Sequence, residues 1–150
     1  MATVKAFITP EYVKTAYAAL ASGDVQQIKQ YWADEMVWQV PGHNRLSGWY
    51  FGLDEFLAFM GRVGALSGNS FRMENIAGEV IVTGEYSADL TRNRGNRAND
   101  PKKLLDIEVV HVLRWKDGKV IAGKGAIFGE GTMEYDQFWS STPAPTSSTH

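Results

Sequence analysis

The chain has 150 residues, no cysteine, a formal net charge of −2 and an apolar fraction of 44%. This length suffices for one domain with a substantial core. The lack of cysteine excludes disulfides and thiolate metal ligands, and the slightly acidic charge excludes a general attraction to nucleic acid. No segment has the roughly 18 consecutive apolar residues of a membrane span, or the features of a signal peptide. We therefore predict a cytoplasmic protein with no nucleic-acid or membrane partner.

Three helices are predicted in the first half of the chain. Thr9 followed by proline is typical of a helix start, and Gly23 tolerates the left-handed backbone that ends a helix. Asp24 is the predicted cap of a short second helix. A third helix begins at Leu53, carries apolar residues at helical spacing and ends by Gly68.

Most of the remaining chain has the composition and alternation of β-strands. The predicted strands span 36–40, 70–77, 79–92, 103–115 and 120–128, with a loop at 41–52, a polar turn region at 92–103 and a short helical or extended ending at 134–140. Asp117-Gly118 is typical of a hairpin turn. Helices followed by antiparallel strands predict a single α+β domain over 8–140. The Pro/Ser/Thr-rich segment 141–150 is predicted to be a disordered tail.

His111 is the most informative residue of the predicted strand 103–115. Alternation places it on one face with Val109 and Leu113, while charged residues occupy the other face. Burial favours the neutral imidazole, which can accept a proton near neutral pH. The sequence leaves two equal alternatives, a catalytic histidine and a core histidine whose ring is hydrogen-bonded to a tyrosine or a backbone carbonyl.

Tyr17 lies on the apolar face of the first predicted helix. A buried phenol needs a hydrogen-bond partner, which His111 or a ligand could supply. With the tyrosine as donor and the histidine as base, the two would form an acid–base pair able to stabilise an enolate and relocate its proton. An ordinary core tyrosine is the alternative.

The loop 41–52 is the second candidate region. It contains three consecutive aromatic residues, Tyr50 among them, and also His43. Aromatic residues in a loop are expected to cover a cavity mouth or to form a dimer contact. His43 fits an ordinary surface residue better than a second catalytic group. Trp38, which alternates with Val40, is predicted to line either the pocket or the core.

Two other sets of polar residues are given no catalytic role. Glu85, Ser87 and Asp89 share one face of the predicted strand 79–92, and we expect that face to be solvated. The three histidines, at positions 43, 111 and 150, lack the spacing of metal ligands, so no metal site is predicted.

Several short motifs occur in a characteristic order. They are AYAAL at 16–20, GD at 23–24, WADEMVW at 32–38 before Pro41, Gly48, GLD at 52–54, RW at 114–115 and DGKV at 117–120. Together they resemble the nuclear-transport-factor-two-like superfamily, most closely its SnoaL-like polyketide cyclase and ketosteroid isomerase branches, over about residues 8–138. The resemblance implies a cone-shaped, cystatin-like fold in which a curved antiparallel sheet and three N-terminal helices enclose an apolar pocket. It also implies a homodimer and no cofactor.

The resemblance implies catalytic roles only in part. Tyr17 matches the oxyanion-hole tyrosine of the steroid isomerases, and His111 falls at the strand position of their second oxyanion donor. Their general base, an aspartate just before the proline that ends the first strand, matches Val40 here. Valine cannot abstract a proton, so the steroid isomerase mechanism does not carry over unchanged.

The leading prediction is a small-molecule-binding domain that performs cofactor-independent acid–base chemistry on a small apolar carbonyl compound, as an isomerase, cyclase or lyase. The predicted catalytic residues are His111 and Tyr17, and the predicted substrate contacts are Trp38, Val40, His43, Tyr50, Val109 and Leu113. The alternative is a non-catalytic module that binds a hydrophobic ligand or dimerises through its sheet.

Overall fold

The computed structural model describes residues 8–76 and 80–140. Over these residues the chain forms four helices: α1 (Pro10–Ser22), α2 (Val25–Tyr31), α3 (Leu53–Ser67) and α4 (Gly131–Trp139). Its strands are β1 (Trp32–Val40), β2 (Gly48–Phe51), β3 (Arg72–Asn75), β4 (Ile81–Thr83), β5 (Tyr86–Arg97), β6 (Asp100–Lys116) and β7 (Lys119–Ile127). The predicted tail, 141–150, lies outside the described residues. None of these four helices combines the length and the apolar character needed to cross a membrane.

The three predicted N-terminal helices are confirmed, together with the residues that begin and end them. Thr9 Oγ1 accepts a hydrogen bond from the Tyr12 N–H at 3.1 Å, which caps α1. Gly23 ends α1 with a φ of 70° and donates its N–H to the carbonyl of Leu20. Asp24 caps α2 by accepting from two backbone N–H groups of its first turn.

The strands form one sheet in the order β2-β1-β7-β6-β5-β3, and β4 also pairs with β5. The β1–β7 pairing is parallel, while the other pairings in the described sheet are antiparallel. β5 and β6 are the longest strands and pair along most of their lengths. The sheet is open and curved, with helices against it, so the predicted α+β, cone-shaped class of fold is confirmed.

Several strand boundaries differ from the prediction, among them the start of β1, which lies at Trp32 and not at residue 36. Residues 48–51 of the predicted loop form β2, and a turn at Gly84, whose φ is 57°, divides the predicted strand 79–92. The region 92–103 is mostly strand, because β5 continues to Arg97 and β6 begins at Asp100. Its charges pair across strands on the exposed face, as in the Arg92–Asp106 ion pair at 2.6 Å, so they are compatible with a sheet.

A fourth helix, α4, forms where the sequence left a helical or an extended ending open. Its residues Tyr135, Phe138 and Trp139 are buried. The guanidinium of Arg97 is buried as well, and its Nη1 donates to the carbonyls of Phe138, at 2.7 Å, and Ser140, at 2.8 Å. Because the last turn of a helix leaves its carbonyls unpaired, these two bonds anchor the end of α4.

The core between helices and sheet is rich in aromatic residues. Trp32, which is fully buried, donates its indole N–H to the Ala16 carbonyl at 3.0 Å. Trp115 donates its indole N–H to Ser87 Oγ at 2.9 Å. Each such side chain contributes about 2–3 kcal/mol by burial, and a satisfied N–H removes the penalty of burying the polar group. The two indoles tie α1 to β1 and β5 to β6, and thereby fix the walls around the site.

Candidate functional site

A cavity of about 670 Å³ lies between the helices and the inner face of the sheet. This volume falls within the range of small-molecule sites. Its wall is mainly apolar and aromatic, with contributions from α1, α3, α4 and five strands. Residues that define it include Trp38, Val40, Phe56, Phe59, Val109 and Ile127.

Three polar side chains form a connected group beside the cavity, and two of them, Tyr17 and His111, line its wall. Asp89 Oδ1 lies 3.0 Å from His111 Nδ1, and Asp89 Oδ2 accepts a hydrogen bond from the Tyr17 hydroxyl at 2.6 Å. The side chains of Asp89 and His111 are only 4% and 7% exposed. The tyrosine comes from α1, the aspartate from β5 and the histidine from β6, so three elements position the group.

The pairing of β5 with β6 explains why the aspartate meets the histidine. Asp89 and His111 are directly opposite each other in the antiparallel register. Side chains at opposite positions point to the same face of a sheet, with their Cβ atoms about 5 Å apart. The predicted alternation of β6 is confirmed, since Val109, His111 and Leu113 are all buried. The carboxylate therefore reaches the imidazole without distortion of either strand.

The Asp89 carboxylate fixes the tautomer of His111. An ionised carboxylate is only an acceptor, so the contact is a hydrogen bond when His111 Nδ1 carries the proton. In the neutral ring the lone pair is then on Nε2, the other nitrogen. His111 lines the cavity, and no hydrogen bond to Nε2 is made by the described residues. This arrangement leaves a proton acceptor available to a ligand.

Tyr17 has a different partner from the two that the sequence suggested. Its hydroxyl donates to Asp89, not to His111 or to a ligand. Burial raises the pKa of Tyr17 well above its ordinary value, and the neighbouring Asp89 charge raises it further. The group therefore stays a phenol, and its proton is directed at the carboxylate. In this arrangement Tyr17 orients and stabilises Asp89.

Two glycines of β7 shape the wall near the imidazole: Gly125 leaves space beside the His111 ring, and Gly123 makes room for the Trp38 ring. A Cβ on Gly125 would lie 3.4 Å from His111 Cδ2 and 3.7 Å from Nε2. A Cβ on Gly123 would clash with the Trp38 ring at 2.3 Å. Because Gly123 has no side chain, the Trp38 indole packs flat on β7, with its centroid 5.9 Å from that of His111. The wall around the base is thus aromatic and tightly packed.

The predicted substrate contacts divide into two groups. Trp38, Val40 and Val109 line the cavity. Leu113 is fully buried but does not line it, and Tyr50 donates its hydroxyl to the Leu46 carbonyl instead of facing the cavity. His43 is exposed on the loop after β1 and also lies off the cavity wall.

Asp89 is the functional candidate that sequence reasoning missed. The expectation of a solvated face for Ser87 and Asp89 is wrong, because both side chains are buried on the inner face of β5. The same inner face continues with buried Thr91 and Asn93, and we call these four residues the polar row of β5. Polar side chains on alternate positions are typical of a solvated face, so the pattern alone predicted the wrong side. The signal that could have identified Asp89 is its position opposite His111 in the paired strands, which places both side chains on the same face of the sheet.

No metal centre is formed in the parts of the chain at 8–76 and 80–140, since no three His, Cys, Asp or Glu side chains group there as ligands. The buried Asp89–His111 pair offers proton-transfer chemistry. A carboxylate-supported imidazole can act as a general base, and the apolar wall limits competition from water.

Comparison with known proteins gives a consistent result. The family model for the SnoaL-like domain matches residues 13–123. Bal32a, from a soil-derived mobile gene cassette, is 27% identical, with 86% of this chain and 94% of that chain covered and a TM-score of 0.75. An NTF2-like protein from Burkholderia xenovorans is 18% identical, with 87% of this chain and 94% of that chain covered and a TM-score of 0.72. IdmH, a polyketide cyclase candidate from Streptomyces antibioticus, is 14% identical, with 82% of this chain and 94% of that chain covered and a TM-score of 0.63. No curated protein matches significantly.

Proposed function

The chain belongs to the SnoaL-like domain family, and we propose that its cavity binds a small, mostly apolar carbonyl compound from which His111 removes a proton. The observation that carries this proposal is the buried Asp89–His111 pair, in which the histidine ring lies on the cavity wall and its Nε2 is bonded to no other described residue. The reaction needs no cofactor and belongs to the isomerisation, cyclisation or dehydration class. The likeness to a polyketide cyclase candidate, although it shows the fold alone, is compatible with this class.

The proposed step begins with a C–H bond next to the substrate carbonyl. His111 Nε2 takes that proton, and the C–H electron pair moves into the carbonyl to give an enolate. The resulting imidazolium is stabilised by the Asp89 carboxylate 3.0 Å away. Return of the proton from the imidazolium to another carbon gives isomerisation. Attack of the enolate carbon on a second carbonyl gives cyclisation, and the resulting alkoxide takes that proton. Loss of a β-hydroxyl gives dehydration, and the hydroxyl leaves as water with the same proton.

This arrangement provides a base even though Val40 cannot act as an acid or a base. That valine lines the cavity and supplies only apolar surface. The base is supplied instead by β6, where His111 is held by a carboxylate from β5. Tyr17 is a positioning residue, because its hydroxyl acts on Asp89 and not on the substrate.

The proposal is tested with 2-tetralone, a rigid two-ring ketone, in deuterated buffer. NMR measures the rate at which its α-protons exchange for deuterium. We expect the wild-type chain to accelerate exchange and His111→Gln to lose the acceleration by about 100-fold or more. The matched control is His43→Gln, the same substitution at an exposed histidine off the cavity.

Two results would contradict this function. Equal exchange rates for the wild type and His111→Gln would remove the histidine from the reaction. Saturable binding of 2-tetralone without any exchange above buffer would favour the alternative of a non-catalytic binding module.

We also propose that the chain forms a homodimer through the outer face of its sheet. Trp49 and Tyr86 are 52% and 48% exposed, and they line a shallow groove together with Val37 and Val112. Exposed aromatic surface of this kind is typical of protein interfaces. Sedimentation velocity at micromolar concentration should give a dimer, and Trp49→Lys should shift it to a monomer. A wild-type monomer would contradict the assignment.

A further inference from the structure

Trp38 carries an unbonded indole N–H on the cavity wall. Its side chain is 7% exposed and lines the cavity. The indole N–H groups of Trp32 and Trp115 are both hydrogen-bonded, and that of Trp139 is sealed among its neighbours. The Nε1 of Trp38 is neither bonded to another described residue nor among the sealed polar atoms, so it remains accessible to a molecule in the cavity.

The Trp38 ring and the His111 ring stand on either side of β7. Trp38 pairs with Gly123 across β1 and β7, and His111 pairs with Gly125 across β6 and β7. The Trp38 atoms nearest to Gly123 are Cζ3 and Cε3, which belong to the edge of the indole remote from Nε1, so the N–H extends away from that contact. The two ring centroids are 5.9 Å apart. Since a hydrogen bond spans about 3 Å, one carbonyl unit bound between the rings can reach both.

The proposed reaction needs a donor at this place. Removal of the α-proton puts negative charge on the carbonyl oxygen, and His111 takes the proton without stabilising that oxygen. The Tyr17 hydroxyl is already bonded to Asp89. Asn93 lines the cavity, but it lies four residues beyond Asp89 on β5, which corresponds to roughly 13 Å along the strand. Trp38 is the free donor beside the imidazole, and an indole N–H can only donate, so it does not compete for the substrate proton.

We infer that the indole N–H of Trp38 is a further catalytic group, which donates a hydrogen bond to the substrate carbonyl oxygen and to the enolate oxygen that it becomes. The inference rests on the proposed function for the identity of the base. His111 moves the proton, and Trp38 stabilises the oxygen on which the charge develops. A donor fixed in a mainly apolar cavity binds a charged oxygen more strongly than a neutral one, which lowers the barrier to enolate formation.

The test compares two ligands that differ by the carbonyl oxygen. 2-Tetralone and tetralin share a two-ring skeleton, and a ketone oxygen can only accept a hydrogen bond. NMR titration of the full chain gives the ratio of their two dissociation constants. Trp38→Phe keeps an aromatic ring but removes the N–H, so it should shift this ratio against 2-tetralone by about tenfold. The matched control is Trp49→Phe, at an exposed tryptophan off the cavity, which should leave the ratio unchanged.

A merely structural role of Trp38 gives a different result. A smaller ring at this position would then weaken both ligands equally, and an unchanged ratio would overturn the donor. The α-proton exchange of 2-tetralone should fall by about 100-fold in Trp38→Phe, a larger factor than for binding, because the charge on the oxygen develops only in the enolate. Urea denaturation of the same samples establishes that the variant is folded.

A measurement on the wild type needs no variant. The Nε1–H signal of Trp38, assigned through the contact of its ring with Phe56, should move downfield when 2-tetralone binds and not when tetralin binds. A hydrogen bond to oxygen deshields the donated proton, and the indole signals of the other tryptophans serve as references. An equal response of the Trp38 signal to both ligands would overturn the donor.

Deuterium exchange separates this inference from the proposed function. A Trp38-dependent preference for the ketone without proton exchange in the wild type supports the donor and refutes only the base at His111. Proton exchange that persists unchanged in Trp38→Phe refutes the donor and leaves the base intact.

Discussion

Replacing Asp89 by asparagine tests the centre of the site with almost no change of shape. The carboxylate accepts from both Tyr17, at 2.6 Å, and His111, at 3.0 Å. An asparagine offers one acceptor oxygen and one NH₂ group, so only one of the two donors keeps its acceptor. If the oxygen stays with Tyr17, the NH₂ group faces His111 Nδ1. The imidazole then carries its proton on Nε2, where it cannot act as a base.

The expected loss follows from this change of tautomer. We expect the α-proton exchange of 2-tetralone to fall by about 1000-fold in Asp89→Asn, within the range for removal of a general base. That factor corresponds to about 4 kcal/mol of barrier height. The free energy of unfolding should fall by only about 1–2 kcal/mol, because the lost charge-assisted hydrogen bonds are partly offset by no longer burying a charge.

NMR exchange rates and urea denaturation, measured on the same samples, separate the two effects. Tyr17→Phe should lower exchange by only about tenfold, since it removes one of two donors to Asp89 and leaves the His111 contact in place. Exchange by Asp89→Asn within threefold of the wild type would refute the role of the carboxylate. A larger loss in Tyr17→Phe than in Asp89→Asn would instead make the tyrosine the group that contacts the substrate.

Three further predictions concern the wall, the anchored helix and alkaline stability. Gly125→Val should cover the edge of His111 and lower the exchange rate by about tenfold or more, as measured by the same NMR assay. Arg97→Met should lower the free energy of unfolding in urea by about 2–3 kcal/mol, because two carbonyls at the end of α4 lose a charged donor. Above about pH 10 the unfolded chain loses the protons of Tyr17 and Tyr135 before the folded chain does, since both pKa values are raised in the fold. Stability should therefore fall as pH rises, by about 1.4 kcal/mol per pH unit for each residue, and each Tyr→Phe variant should remove its share.

Each of these has a result that would count against it. Unchanged exchange in Gly125→Val would mean that the ligand does not approach the imidazole from β7. Equal stability of Arg97→Met would show that the carbonyls find other donors. An alkaline unfolding curve unaffected by both Tyr→Phe substitutions would contradict the burial of the phenols. The control for that curve is Tyr86→Phe, at an exposed position.

The sequence predicted the helices and the orientation of β6 because those features depend on local rules. Thr9, Gly23 and Asp24 determine helix ends through their own backbone and side-chain chemistry, and all three act as predicted. His111 was correctly placed on the buried face because its strand alternates between apolar and charged residues. Such patterns need no knowledge of the neighbouring strand.

Asp89 was missed because its environment depends on register. A row of polar side chains is solvated if its side of the strand faces water, and can take part in a site if that side faces a cavity. The amino-acid composition of β5 does not distinguish these two cases. Only the pairing that sets Asp89 opposite His111 distinguishes them, and it joins residues 22 apart in the chain.

The polar row of β5 has a consequence for how this molecule can diversify. Asp89 holds His111 and Asn93 lines the cavity, and both project from the inner face of one strand. Asp89 is also bonded to Tyr17 of α1, whereas the Asn93 side chain is bonded to Thr91 of its own strand, so a substitution at Asn93 can change the preferred ligand with less effect on the architecture. A designer seeking new ligand preferences in this scaffold would therefore vary Asn93 first and keep Ser87, whose hydroxyl accepts the Trp115 indole N–H.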